Sequence, residues 1–245
     1  MRKSVLFVLS VLLIGCNGSD SPKSEIIIDN TPVEPLLVGG SIQRLNAVEG
    51  DFYSPNSAAW RDAQEYKLSL DLAPPVHQSI SLRYDPSRPK MLVNIRAASD
   101  TENLYVRLRW TDATENTVNS REFFSDAAAV QFALNGGSST SFMMGASPTP
   151  VNIWYWKAAE EKSQNLAAAG FGSTTRLNQG GLKAESLYRE AGEWVVVFSR
   201  PLIGEGEYQA DLKQAESFVS FALWQGDAKQ RDGLKHISQG WITIQ

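Results

Sequence analysis

Two methionines, Met143 and Met144, stand next to each other in the stretch FMMG, shortly before the turn-forming sequence SPTP. The thioether of methionine can hold haem iron, and the same flexible side chain often fills gaps in protein cores. Adjacent side chains of an extended chain point to opposite faces, so at most one of the two can point into a given pocket. From the residues alone, core packing is the simpler interpretation.

A second adjacent pair, Lys235 and His236, precedes the last apolar stretch of the chain. Again only one side chain could reach a buried ligand. A lysine must be buried and lose its proton before it can coordinate a metal, whereas neutral imidazole is a common ligand. The residues alone favour a surface role for Lys235 and make His236 the more plausible ligand of the two.

The tryptophans are the third unusual feature, seven in all. In the stretch NIWYWK, Trp154 and Trp156 would share one face of a strand, with Tyr155 on the other face. Such rings could pack a sandwich core, line a haem pocket or form a platform that stacks on sugars. The core interpretation is only narrowly favoured for any single ring.

Familiar catalytic and metal-binding signatures are absent from the sequence. It contains no G-x-S-x-G elbow, Walker loop, H-E-x-x-H or paired-cysteine motif, and only two histidines. Without C-x-x-C-H, a haem would be bound non-covalently. The formal net charge is −4 with no basic patch, which argues against nucleic-acid binding.

The first residues, MRKSVLFVLSVLLIGC, predict an extracytoplasmic protein. A basic start and a short apolar run indicate a signal peptide over residues 1–15, and LIGC resembles a bacterial lipobox. Cys16, the only cysteine, would then be lipidated, and several acyl chains suffice for stable membrane anchoring. Residues 16–35 are predicted to form a flexible tether, and Asn17 favours the outer membrane.

The remaining residues, 36–245, read as one all-β domain. Alternation of apolar and polar residues predicts about nine strands and therefore an antiparallel β-sandwich of jelly-roll or immunoglobulin-like type. The predicted strands span residues 66–72, 78–84, 91–97, 103–110, 128–134, 151–156, 193–199, 218–224 and 240–244. A short helix is expected over residues 157–169, at the start of a Gly/Ser-rich insertion that covers residues 159–189.

Five blocks, in order, resemble one family. They are AAWRDAQEYKLSLDL, VNIRAASDTENLYVRLRWTDAT, FFSDAAAVQFAL, FMMGASPTPVNIWYWKA and LWQGDAKQRDGLKHISQGWITI, which together cover about residues 60–244. They resemble the haem-binding domain of the ethylbenzene dehydrogenase and dimethyl sulfide dehydrogenase γ-subunit type, the cytochrome b subunit of type II DMSO-reductase-like molybdoenzymes. That family's β-sandwich is shared with DOMON-like cytochromes and carbohydrate-binding modules.

The resemblance implies a haem b held by methionine and lysine. The family's F-x-M-G methionine falls on Met144 and its R-x-G-x-K lysine on Lys235, with Met143 and His236 as the fallback ligands. We expect Met143 to turn into the sandwich. Four further side chains are expected to contact the haem, namely Phe142, Arg231, Trp154 and Trp156.

The sequence therefore predicts a lipid-anchored b-type cytochrome that transfers single electrons and catalyses no reaction itself. Its redox partner would be a molybdoenzyme or a c-type cytochrome. The lipid anchor is a departure from soluble γ-subunits, so a free-standing cytochrome is the other form of this hypothesis. The rival hypothesis is a carbohydrate-binding lipoprotein on the same fold, and a third is a structural lipoprotein that has lost its cofactor.

Overall fold

The protein folds into a 15-stranded sheet that turns back on itself to form two layers. The computed structural model describes residues 33–135 and 137–245. The predicted signal peptide, the lipidation site at Cys16 and most of the predicted tether lie outside these residues. In this described part, no helix has both the length and the apolar character needed to cross a membrane.

In chain order, the strands are β1 (Val33–Leu36), β2 (Ser41–Ile42), β3 (Leu45–Asn46), β4 (Glu65–Leu72), β5 (Met91–Ser99), β6 (Asn103–Thr111), β7 (Ala127–Ala133), β8 (Val151–Lys157), β9 (Gln164–Ala168), β10 (Thr175–Arg176), β11 (Lys183–Arg189), β12 (Glu193–Pro201), β13 (Ser217–Trp224), β14 (His236–Ile237) and β15 (Ile242–Ile244). One α-helix, α1 (Gln78–Ser81), and two 3-10 helices, Ala58–Asp62 and Gly137–Ser139, complete the described elements. The prediction of an antiparallel β-sandwich is confirmed.

The first layer runs β4-β5-β6-β12-β11 and the second runs β10-β9-β8-β7-β13-β14. These neighbours are antiparallel, and the pairing of β14 with β4 joins the two layers. Three short strands add parallel pairs at the margins, β1 with β4, β3 with β5 and β2 with β15. The first of these, β1, includes the last three residues that the sequence assigned to the tether.

The core lies between the two layers and follows from the period-two pattern of the strands. Val93 and Leu108 of the first layer pack in one apolar cluster with Val130 and Phe221 of the second, and all four are almost fully buried. Burying a side chain of this size contributes roughly 1.5–3 kcal/mol. The outer face of the second layer carries a separate apolar cluster, which forms the floor of the site described below.

Two predictions about local structure were wrong. Residues 78–84, expected to form a strand, contain helix α1, whose first turn is capped by the His77 side chain accepting from the Ser79 amide at 3.2 Å. The apolar alternation there was misleading, because Ile80 is buried whereas Leu82 is 82% exposed. The fold places its only described α-helix in this segment.

The predicted helix over residues 157–169 is instead the strand β9, which pairs antiparallel with β8. Its alanines favour helix, but the ladder to β8 and the burial of its last four residues override that weak preference. Asn165, which points inward, accepts a hydrogen bond from Asn152 at 2.8 Å. The rest of the predicted insertion carries β10 and β11.

Candidate functional site

A cavity of about 720 Å³ lies on the outer face of the second layer. Its floor is made of small and branched apolar side chains from neighbouring strands, Ala129 of β7, Ile153 of β8, Leu166 of β9 and Ala222 of β13. Alanines on adjacent strands keep this floor low, so a broad flat space remains above the sheet. The volume is typical of sites for small molecules and cofactors, which are mostly apolar concavities.

The walls come from segments outside the central strands. Helix α1 contributes Ile80, the segment before β8 contributes Phe142, and the segment after β9 contributes Phe171. Tyr155 and Trp224 stand on the sheet itself, with ring centroids 5.1 Å apart. Burial raises the pKa of Tyr155, as expected for a phenol surrounded by apolar groups.

The two ligands predicted from the resemblance meet in this cavity. The Lys235 ammonium donates to the Met144 thioether, with Nζ 3.8 Å from Sδ. The Lys235 main chain is fixed because its carbonyl accepts from the Ala73 amide at 2.8 Å. Its Nζ also lies 4.9 Å from the centroid of the Trp224 ring. A lone-pair donor and a soft sulfur are therefore brought together in largely apolar surroundings.

The protonation state of Lys235 is shifted in the direction that coordination requires. Desolvation lowers the pKa of its ammonium to about 8, against a smaller opposing effect from the negative charge of Asp232. An exposed lysine holds its proton much more tightly. Losing that proton, which frees the nitrogen lone pair, consequently costs less here than at the protein surface.

Met144 is held by an irregular turn rather than by a strand. Its φ is 68°, and Gly145 follows with a φ of 72°. A Cβ on Gly145 would lie 2.9 Å from the Ala168 carbonyl oxygen and 3.0 Å from that of Thr149, so glycine is required there. Because the turn is not extended, Met143 also lines the cavity. The expectation that Met143 turns into the sandwich was wrong.

His236 lies on the other side of β14 from Lys235, as strand alternation requires. Its Nδ1 is 3.1 Å from the Gln230 side-chain nitrogen, and its Nε2 is 3.1 Å from the Pro89 carbonyl oxygen. Both ring nitrogens are engaged, and the ring is buried away from the cavity. The structure thus brings Met144 together with Lys235 and keeps His236 apart.

Of the other four side chains predicted to contact haem, only one lies in the cavity. Phe142 lines the cavity. Trp154 and Trp156 belong to the core between the layers, where Trp156 packs 5.0 Å from Trp194. Arg231 is exposed, with its guanidinium 4.7 Å from the Phe124 ring. These three side chains do not line the cavity.

Sequence reasoning missed Tyr155, Trp224 and Ile80 as wall residues. Strand alternation in NIWYWK could have identified Tyr155, because it places this ring on the face opposite to the two core tryptophans. No such signal existed for Ile80, whose segment was expected to be a strand. In the described ranges, no group of three or more histidine, cysteine and acidic residues is arranged to hold a metal ion.

Comparison with known proteins places the chain in a family. Residues 57–189 match the family model described as ethylbenzene dehydrogenase. The dimethylsulfide dehydrogenase subunit gamma of Rhodovulum sulfidophilum is 40% identical over 194 residues, 77% of this chain and 73% of that protein. The chlorate reductase subunit gamma of Ideonella dechloratans is 37% identical over 205 residues, 83% of each chain.

Among solved structures, the family 9 carbohydrate-binding module of Caldicellulosiruptor kristjanssonii in complex with glucose is similar with a TM-score of 0.47 and 10% identity, over 84% of this chain and 95% of that one. The two gamma subunits are far closer in sequence, at 37–40% identity. On the family model and on relatives at 37–40% identity, the chain belongs to the ethylbenzene dehydrogenase family.

Proposed function

We propose that this protein is an extracytoplasmic electron-transfer subunit that binds haem b non-covalently, and that Met144 and Lys235 would hold its iron. The single observation that carries the proposal is the meeting of Met144 Sδ and Lys235 Nζ inside an apolar cavity. Sugar binding has no use for such a pair, so the cavity favours the cytochrome over the carbohydrate-binding alternative. A relative from Haloferax mediterranei, 33% identical, is described provisionally as a respiratory nitrate reductase heme subunit.

The fit rests on the chemistry of the two donors and of the cavity. A thioether is a soft ligand and stabilises ferrous iron, while a neutral amine is a σ-donor. When bound, haem supplies an iron that accepts and gives up one electron. The chain contributes the two ligands and the apolar walls that exclude water, which together set the reduction potential.

Cations at the cavity are suited to the anionic carboxylates of a haem. Arg83 and Lys157 both line it. Lys157 is paired with Glu160 at 3.2 Å, whereas the Nε of Arg83 makes only a long contact of 3.5 Å to the Ser79 carbonyl. A guanidinium binds a carboxylate through two parallel hydrogen bonds. We therefore assign Arg83 as the principal carboxylate-binding side chain.

The partner and the compartment follow from the relatives and from the N-terminus. The relatives named above are gamma subunits, so catalysis is assigned to another chain, a molybdoenzyme, and this chain passes electrons to or from it. A c-type cytochrome is the second redox partner. Lipidation of Cys16 would hold the subunit at the periplasmic side of the outer membrane.

The deciding experiment is a spectrum. The full chain is produced in a haem-replete periplasm, and reduced-minus-oxidised spectra are recorded together with the haem content per chain. We expect one haem b per chain with a low-spin α-band. Folded protein that carries no Soret band under these conditions would refute the proposal.

The anchor is tested separately. Replacing Cys16 with alanine should move the protein from the membrane fraction to the soluble periplasmic fraction, with its haem spectrum unchanged. If Cys16→Ala stays with the membrane as the parent does, lipidation at this residue is not the anchor. The electron-transfer proposal does not depend on that result.

A further inference from the structure

A second concave site lies on the outer face of the first layer, away from the cavity. In β6, the apolar side chains Val106 and Leu108 point into the core, while Arg107 and Arg109 point outward. The outward pair, with Arg61 and Arg189, lines a cleft of about 190 Å³. Nothing in the proposed haem chemistry uses this cleft.

The arginines around the cleft share their acidic partners. Glu65 binds Arg109 at 2.7 Å and Arg96 at 3.4 Å, and lies 3.8 Å from Arg107. Glu193 binds Arg109 at 2.7 Å and Arg189 at 3.0 Å. Arg107, Arg109 and Arg189, which line the cleft, therefore depend on the same two carboxylates, and Arg96 also binds one of them.

Arg107 is the least compensated of these side chains. Only 8% of it is exposed, its Nη1 is 3.8 Å from Glu65, and its Nε donates to the Pro55 carbonyl at 3.2 Å. Burial, followed by the positive charges of Arg96 and Arg189, lowers its pKa to about 10. Keeping a buried guanidinium without full pairing is costly, and a bound anion would recover that cost.

We infer that this cleft binds a compact, doubly charged oxyanion such as phosphate or sulfate, held by Arg107, Arg109 and Arg189. Guanidinium forks match the oxygens of such anions and form short, charge-assisted hydrogen bonds with them. The cleft, of about 190 Å³, has room for an inorganic anion. The backbone carbonyl of Pro55 and the side chain of Asn56, which binds Arg189 at 3.2 Å, keep the forks in place.

The test is anion binding to the full-length haem-loaded chain. Phosphate, sulfate, acetate and chloride are compared at equal ionic strength by calorimetry and by the unfolding temperature. We expect saturable binding of phosphate and sulfate, a matching rise in the unfolding temperature, and no such effect of chloride. Equal effects of all four salts, or stronger binding of acetate, would overturn the inference.

Variants locate the site. Arg107→Gln should weaken phosphate binding by about tenfold or more, because it removes a charge-assisted donor. Arg121→Gln, an exposed arginine elsewhere, is the matched control and should leave binding unchanged. If Arg107→Gln does not fold, Arg189→Gln, at a side chain 34% exposed, decides the question. The haem spectrum should be the same in all variants, so failure here is distinguishable from failure of the haem proposal.

Discussion

Lys235 Nζ lies 3.8 Å from Met144 Sδ, although 91 residues separate the two side chains in the sequence. Different structural features hold the two side chains in place. Lys235 directly precedes β14, whose first residue pairs with Leu72 of β4 and with Leu223 of β13. Met144 lies in a turn in which it and Gly145 both have a positive φ. The pair thus depends on the packing of the whole second layer, and the following predictions test each side of it.

Replacing Met144 with leucine should remove the sulfur ligand while keeping most of the side-chain volume. We expect loss of the low-spin spectrum and haem affinity lower by about tenfold or more. Met143→Leu is the matched control, because Met143 lines the same cavity whereas the Lys235 ammonium donates to Met144. An unchanged spectrum in Met144→Leu together with a lost one in Met143→Leu would reverse our assignment.

The second ligand is tested by Lys235→Ala against His236→Gln. Lys235→Ala should abolish the native low-spin spectrum, since its amine lies 3.8 Å from the Met144 thioether. His236→Gln should lower stability but retain the spectrum, because both ring nitrogens already bind Gln230 and Pro89 on the other side of β14. Spectra and thermal unfolding, recorded on the same samples, separate the two effects.

The sandwich itself could be predicted because strand alternation is a local signal, and eight of the nine predicted strands overlap observed ones. The residues of the site could be predicted from strand alternation only in part. Both Met143 and Met144 line the cavity because the turn that carries them has a positive φ at Met144, which no apolar pattern predicts. The helix α1 that supplies one wall is stabilised by the local His77 cap and by the burial of Ile80, and that burial depends on tertiary contacts.

A larger side chain on the cavity floor should weaken haem binding without lowering the stability of the fold. Ala129→Leu places a larger side chain on the cavity floor, where space is available, so we expect weaker haem binding with an apo-protein at least as stable as the parent. Ala133→Leu, on the same face of β7 but outside the cavity lining, is the control and should leave haem binding unchanged. Titration of apo-protein with haem and thermal unfolding measure the two quantities.

Arg83→Gln should weaken haem binding modestly, by less than the loss of either axial ligand. The guanidinium lines the cavity and is the cation we assign to the haem carboxylates. An exposed charge-assisted hydrogen bond contributes about 1 kcal/mol, which corresponds to roughly fivefold in affinity. Arg231→Gln is the control, because that arginine is exposed and lies outside the lining. Equal effects of the two substitutions would contradict the assignment.

Asp112 should make the stability of the fold depend on pH. It is almost fully buried, its Oδ2 has no hydrogen-bond partner within the described part of the chain, and its Oδ1 accepts from the Thr114 amide. Desolvation, together with the nearby charge of Asp126, raises the pKa of Asp112 to about 7. The folded state therefore binds more protons than the unfolded state between the ordinary aspartate pKa and pH 7.

The sign of the effect follows from that difference. The stabilising contribution of Asp112 is greatest below its unfolded-state pKa and is lost as the pH rises through about 7, by an amount on the order of 4 kcal/mol. Asp112→Asn cannot ionise, so it should be more stable than the parent at pH 8 and nearly equal to it at pH 4. Asp126→Asn is the contrasting variant, since its carboxylate accepts from Trp194, Gly226 and Asn116, and the loss of an acceptor oxygen should destabilise the fold. Denaturant unfolding between pH 4 and pH 8 measures the free energy of unfolding of both variants and of the parent. If Asp112→Asn is no more stable than the parent at pH 8, the raised pKa is contradicted.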